Sequence, residues 1–178
     1  MKIASSEFTE LGSQMVLPLF EGVDKAPNNS LSGLNRGQRS LVRGALSSGG
    51  FNGKKGRRMT LWTPECNIVL VGMGEKDSLG HKRARDTGAR LIASMSKKKG
   101  IDVTVRFTSG WSVKRMIDFA EGMLLRDYEF LEHQEPPKDH ISEPWNVSFQ
   151  ASSRYQESLT RGLNKVGSVA EGVHLARD

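Results

Sequence analysis

The feature that most constrains this chain is an uninterrupted order of four elements through its middle. The run "NIVLVG", Asn67 to Gly72, is continuously apolar and of strand length, the pattern of a strand buried on both faces. It passes through the glycine-rich turn "MGEKDSLG" into a helical stretch. There Ala84, Gly88, Leu91, Ile92 and Met95 share one face, while Arg83, Asp86, Arg90 and Lys97 fall on the opposite one. Next, "IDVTVRF" from Ile101 alternates Val103, Val105 and Phe107 with Asp102, Thr104 and Arg106, which predicts a strand with one buried and one solvated face. "SVKRMIDFAEGMLLRDYEF" opens on Ser112 as a candidate N-cap and carries Val113, Met116, Ile117, Ala120, Met123 and Leu124 on one stripe. Strand, helix, strand, helix in this order has few solutions. It requires parallel pairing through crossovers, and therefore an α/β sheet with helices on its faces.

The flanks add elements of the same kind. Strands are expected at Ile3 to Phe8 and in "QMVLPLFEG" from Gln14, and a surface helix where Leu34, Leu41, Val42 and Ala45 recur before Gly49 and Gly50. Phe51 leads into a glycine-bracketed basic turn, followed by a strand from Met59 to Thr63. The proline-bearing "LEHQEPPKDHISEP" reads as a loop and "WNVSFQ" as one more strand. From about Ser152, a stripe of Leu159, Leu163, Val166, Ala170 and Val173 marks a last long helix. Gly162, Gly167 and Gly172 interrupt it, and two readings fit them equally: close approach to a packed neighbour, or a break into two shorter helices. The stripe runs into "AEGVHLARD" with no glycine cap, proline or polar tail. Its apolar side is expected to be under-packed unless it folds back on the sheet or meets another chain.

A chain of 178 residues is long enough for one domain with a core, and the expected organisation is an α/β domain over 1–150 with a helical appendage over 151–178. Neither a secretory leader nor a membrane anchor is readable, so a cytoplasmic protein is expected. Cys66 is the sole cysteine, which excludes an internal disulfide and argues against a thiolate metal cluster within one chain. His81, His133, His140 and His174 show no metal-ligand spacing, and no nucleophile elbow or isolated carboxylate pair is present. The turn after Asn67–Gly72 lacks the dinucleotide fingerprint and the Gly-Lys-Ser/Thr of a P-loop, so a plain strand-to-helix turn is preferred to a phosphate cradle. With 26 Lys and Arg against 20 Asp and Glu, the formal charge is +6, compatible with an anionic partner. Lys54, Lys55, Arg57 and Arg58 of "GKKGRR" are the candidate polyanion contacts, set against a solvated hairpin tip between two strands. "SKKKG" at Ser96 fits a helix C-terminus, where cations complement the dipole.

Taken in order, "VLPLFEG", "GGFNGKKG", "NIVLVGMGEKD", "FAEGMLLRDYEF" and "VAEGVHLARD" resemble the N-terminal domain of the M17 leucyl aminopeptidases, also called cytosol aminopeptidases. The resemblance implies a three-layer, macro-domain-like α/β fold with a mixed sheet between helices. It also implies a non-catalytic domain joined by a long helix to a catalytic domain, which binds two divalent metal ions (zinc, manganese or magnesium) and releases N-terminal amino acids from peptides. The family motifs N-T-D-A-E-G-R and V-G-K-G occur nowhere here, so no catalytic, cofactor or metal residue is carried over and this chain alone is expected to be inactive. The implied partners are the protein's own catalytic domain and neighbouring subunits of a homo-hexamer, with DNA as a partner of some bacterial members. Assembly and active-site access are the expected roles; the alternative is a nucleotide- or nucleic-acid-binding module, for which "GKKGRR" and the face carrying Arg83, Arg90 and Lys97 are the places to look.

Overall fold

The computed structural model describes residues 1–6, 11–24, 28–95, 101–126 and 146–176. Each apolar run becomes a strand: β1 (Lys2–Ser5), β2 (Gln14–Leu19), β3 (Arg58–Leu61), β4 (Asn67–Gly72), β5 (Asp102–Arg106) and β6 (Asn146–Gln150). They form one sheet in the order β1-β6-β5-β2-β4-β3. Neighbours are parallel except β3, which runs antiparallel to β4 at the edge. The helices are α1 (Arg36–Ser47), α2 (His81–Met95), α3 (Val113–Arg126) and α4 (Ser153–Leu175).

The period of two along the strands divides the core between the sheet's faces. On one face Val16, Val69, Val71, Val103, Val105, Val147 and Phe149 pack beneath Leu91 and Ile92 of α2, Phe119 and Met123 of α3, and Leu159 and Leu163 of α4. On the other, Met15, Leu17, Leu19, Ile68 and Leu70 pack beneath Val42 and Leu46 of α1. The result is the expected three layers around a mixed sheet. Helix α1 starts on a capping box, with Asn35 and Gln38 exchanging side-chain and backbone hydrogen bonds of 2.9 and 3.0 Å.

Pro18 lies within β2, a central strand, where a missing N–H ordinarily breaks the ladder. Pairing of β2 with β5 ends at Val16, two residues earlier, and the Pro18 carbonyl accepts a 3.3 Å hydrogen bond from the Trp111 indole instead. Trp111 sits in an aromatic cluster with Phe20, Phe107 and Phe119 at centroid distances of 5.6, 4.7 and 6.0 Å.

Helices α2 and α3 approach until backbone meets backbone. A Cβ on Gly88 would lie 2.1 Å from the Phe119 carbonyl oxygen, and one on Gly122 would lie 1.9 Å from that of Arg85. Helix α4 is continuous over 23 residues, so its glycines do not divide it. Close approach explains Gly162, where a Cβ would meet Ile117 of α3 at 2.1 Å, but not Gly167 or Gly172, which face nothing within 4 Å among the described residues. The helix folds back over α3 and β1: Leu159, Leu163 and Ala170 are buried and Val166 and Val173 half-buried, while Val169 and Leu175 stay 51% and 76% exposed.

Two expectations change. Strand β5 has no solvated inner positions: Thr104 and Arg106 are as buried as Val103 and Val105, at 2% and 0% exposure. Segments distant in sequence cover that face, Gly12 donating its N–H to Thr104 Oγ1 at 2.8 Å and the Ser30 and Ser32 carbonyls accepting from Arg106. The basic turn, for its part, is not the tip of a hairpin. It leads into β3, and the β3–β4 connection lies further on, after Leu61. The first expected strand is described from Lys2 to Ser5, with Phe8 outside the described residues. The same holds for "SKKKG", for the proline-bearing segment of 131–144, and for His133 and His140.

Candidate functional site

Three stretches of chain converge where β2 and β4 end. Gly53 is pressed against Phe20, where a Cβ would fall only 2.1 Å from that residue's carbonyl oxygen, and a Cβ on Gly72 would fall 2.0 Å from the Lys54 carbonyl. Positive φ angles of 72° and 77° at Gly53 and Gly56 let the chain turn back along β4. The glycines bracketing the basic turn are thus explained by backbone contact. Backbone hydrogen bonds also occupy the N–H groups at the end of β4 and the start of the turn: those of Gly72, Met73 and Gly74 donate to the Arg57, Leu19 and Gly53 carbonyls at 2.8, 2.9 and 2.9 Å.

This anchoring aims the basic turn at the outer face of α2. Between them lies a cleft of about 650 Å³ walled by Lys55, Arg57 and Arg58 on one side and Lys82, Arg83 and Arg90 on the other. Its lining also includes the hydroxyls of Ser78, Thr87 and Ser94, apolar surface from Val71 and Leu91, and a single acidic residue, Asp86. The Arg58 guanidinium donates to Ser94 Oγ and that of Arg83 to Ser78 Oγ, while Thr87 Oγ1 donates to the Arg83 carbonyl at 2.8 Å. Partial burial pushes the Arg58 guanidinium below its ordinary pKa. Among the described residues, none of these six cations forms an ion pair with a carboxylate.

Of the four cations singled out in "GKKGRR", the structure therefore brings Lys55, Arg57 and Arg58 together with Arg83 and Arg90. Lys54 belongs to the same turn but lies outside the cleft lining, and Lys97 lies outside the described residues. Sequence reasoning passes over Lys82 and the hydroxyls. The available signal is the composition of the first turn of α2, His81-Lys82-Arg83, which holds no acidic residue.

Two other polar clusters are structural. Asp118, 8% exposed on α3, holds Oδ2 2.7 Å from His81 Nδ1 and 3.5 Å from an Arg115 nitrogen, and Arg115 Nε donates to the Leu79 carbonyl at 2.7 Å. That cluster ties the start of α2 to α3. Arg106 donates from Nε to Gln150 Oε1 at 2.8 Å and from one terminal nitrogen to the Ser30 and Ser32 carbonyls at 3.3 and 2.5 Å. Burial lowers its pKa to about 10, so it is a cation at neutral pH that pins the 28–32 segment to the sheet. Cys66 is buried and its thiol pushed up by that burial, the setting of an inert side chain.

Among the described residues no three His, Cys, Asp or Glu side chains gather as metal donors. They do not fit the pair of divalent ions that the family resemblance implies, and no catalytic step is assigned to them. No helix among the described residues is long and apolar enough to cross a membrane.

Residues 16–137 match the family model described as "Cytosol aminopeptidase family, N-terminal domain". Probable cytosol aminopeptidases of Wolbachia pipientis and Nitrosospira multiformis are 21% and 26% identical over 99% and 93% of this chain. The chain spans only about a third of those relatives, 34% and 32% of their lengths. Among solved structures, a tomato leucine aminopeptidase variant superposes with a TM-score of 0.70 at 20% identity, covering 97% of this chain and 36% of its own. The bottromycin maturation enzyme BotP superposes at 0.58 with 17% identity over 93% of this chain and 32% of its own. At such identities the superpositions establish the fold, and the family model supplies the kinship: this chain belongs to the cytosol aminopeptidase family, of which it carries the N-terminal domain.

Proposed function

We propose that the chain is the non-catalytic N-terminal domain of a cytosolic, metal-dependent leucyl aminopeptidase, which releases N-terminal amino acids from peptides through a catalytic domain outside this chain. On this reading 1–150 form the domain proper, and 151–178 carry the helix that leads towards the catalytic domain and the neighbouring subunits of a homo-hexamer. The domain contributes assembly and access to the active site.

The observation that carries the reading is the pairing of a family match to the N-terminal domain with coverage of only about a third of the relatives. The exposed Val169 and Leu175, on the distal half of α4, supply apolar surface for a partner domain.

The test is turnover of a leucine anilide by the purified chain with added manganese or zinc. No metal-dependent hydrolysis is expected, and measurable turnover that scales with protein would overturn the reading. In the whole enzyme, replacing both Val169 and Leu175 by Asp is expected to lower the oligomeric mass in light scattering, and an unchanged mass would remove the assembly role.

A further inference from the structure

The cleft between the basic turn and α2 gathers six cationic side chains around one acid, in a space of about 650 Å³. Folding supplies no reason for this. Like charges crowded into a concavity repel, and a helix N-terminus already carries partial positive charge from its aligned peptide dipoles and free N–H groups. An acidic first turn would offset that charge, yet the first turn of α2 has none and instead carries Lys82 and Arg83. Lys55, Arg57 and Arg58 are then brought to the same place by the anchoring of Gly53 and Gly72 on neighbouring backbone. Arg58 stands on β3 and Lys82, Arg83 and Arg90 on α2, while Lys55 and Arg57 stand on the turn anchored between them.

We propose that this cleft is a binding site for a compact polyphosphate anion, held by the face of α2 that carries Arg83 and Arg90 opposite the basic turn. Planar guanidinium groups hydrogen-bond phosphate oxygens in pairs. The Ser78 and Ser94 hydroxyls, which now accept from Arg83 and Arg58, hold these two side chains in place at the wall. Volume decides between occupants. The space is that of a small-molecule pocket, whereas a duplex needs a basic face extended along its backbone. The proposal is independent of the aminopeptidase reading, since it uses no residue on which that reading depends.

The test is isothermal titration of the full chain with inorganic tripolyphosphate, with ATP and with a short duplex DNA, at about 50 and about 300 mM salt, where screening lengths differ severalfold. Tripolyphosphate is expected to bind one per chain and to weaken at the higher salt, and the variant Arg83→Gln/Arg90→Gln to bind it at least about tenfold more weakly. Arg161→Gln on α4 removes one charge far from the cleft and is expected to bind as the parent does. Tighter binding of ATP than of tripolyphosphate would identify a nucleotide as the source of the phosphates, and equal binding would identify the phosphate chain alone. Circular dichroism and an unchanged melting midpoint show that the variants fold. Absence of tripolyphosphate binding overturns the proposal, as does equal weakening by Arg161→Gln, or binding of duplex that tripolyphosphate does not displace.

Discussion

Helix α2 presents two faces made under different rules. Its inner face meets α3 through Ala84, Gly88, Leu91, Ile92 and Met95, all buried, with Gly88 and Gly122 letting each backbone touch the other helix. Its outer face carries Lys82, Arg83 and Arg90 toward the basic turn, with hydroxyls and one acid between them. The inner face is explained once the fold is known, because any larger residue at its glycines would drive the helices apart. The outer face is not. Its charges oppose one another and, at Lys82 and Arg83, the helix dipole, and removing them leaves every packing contact of the inner face in place. A residue whose identity the fold accounts for should cost stability when changed, and one it does not account for should cost something else.

The largest expected effect is therefore on the inner face. Gly122→Ala places a methyl group 1.9 Å from the Arg85 carbonyl and is expected to lower the unfolding free energy by about 3 kcal/mol in urea titration. A loss below about 0.5 kcal/mol would mean that α2 and α3 leave room for a methyl group between them. Next comes Arg106→Met, which withdraws the donors now serving Gln150, Ser30 and Ser32 inside the sheet's second face. A loss of about 2 kcal/mol is expected, because buried carbonyls lose a charged donor while the cost of burying the charge disappears with it.

Smaller effects separate the glycines of α4. Gly172→Ala, at an exposed position facing nothing within 4 Å, is expected to gain about 0.5–1 kcal/mol from helix propensity alone. At Gly162 the same gain is offset by displacement of the Ile117 side chain, so a near-neutral result is expected there. The smallest change is on the outer face of α2: Arg83→Gln/Arg90→Gln should alter stability by less than about 0.5 kcal/mol, and stability of the parent should rise slightly with salt as the repulsion is screened. A large loss of stability in this variant would show that the outer face is structural after all.

The fold is largely legible in the sequence because period carries it. The continuous run Asn67–Gly72 and the stripe of Ala84, Gly88, Leu91, Ile92 and Met95 depend on near neighbours, and each lies where the pattern puts it. Alternation assigns Arg106 to solvent, and it errs for the opposite reason: what covers this side chain are Ser30 and Ser32, more than seventy residues away, and no local pattern records a lid from so far along the chain. The cleft is half legible. Lys55, Arg57 and Arg58 stand out as a charge cluster and Arg83 and Arg90 as a polar helix face, but their meeting depends on the contacts of Gly53 and Gly72 with distant backbone. Glycine in a sequence announces a turn or a close approach without saying to what.

The most direct measurement on the two faces of α2 is a two-dimensional amide NMR spectrum of the chain recorded during titration with tripolyphosphate. Amide signals of Gly56, Arg57 and Lys82 to Arg90 on the cleft side should move in step with ligand, while those of α4 and of the α3 core around Phe119 stay in place. Signals that do not move, or that shift evenly around the whole surface with added anion, would contradict a site on the outer face of α2.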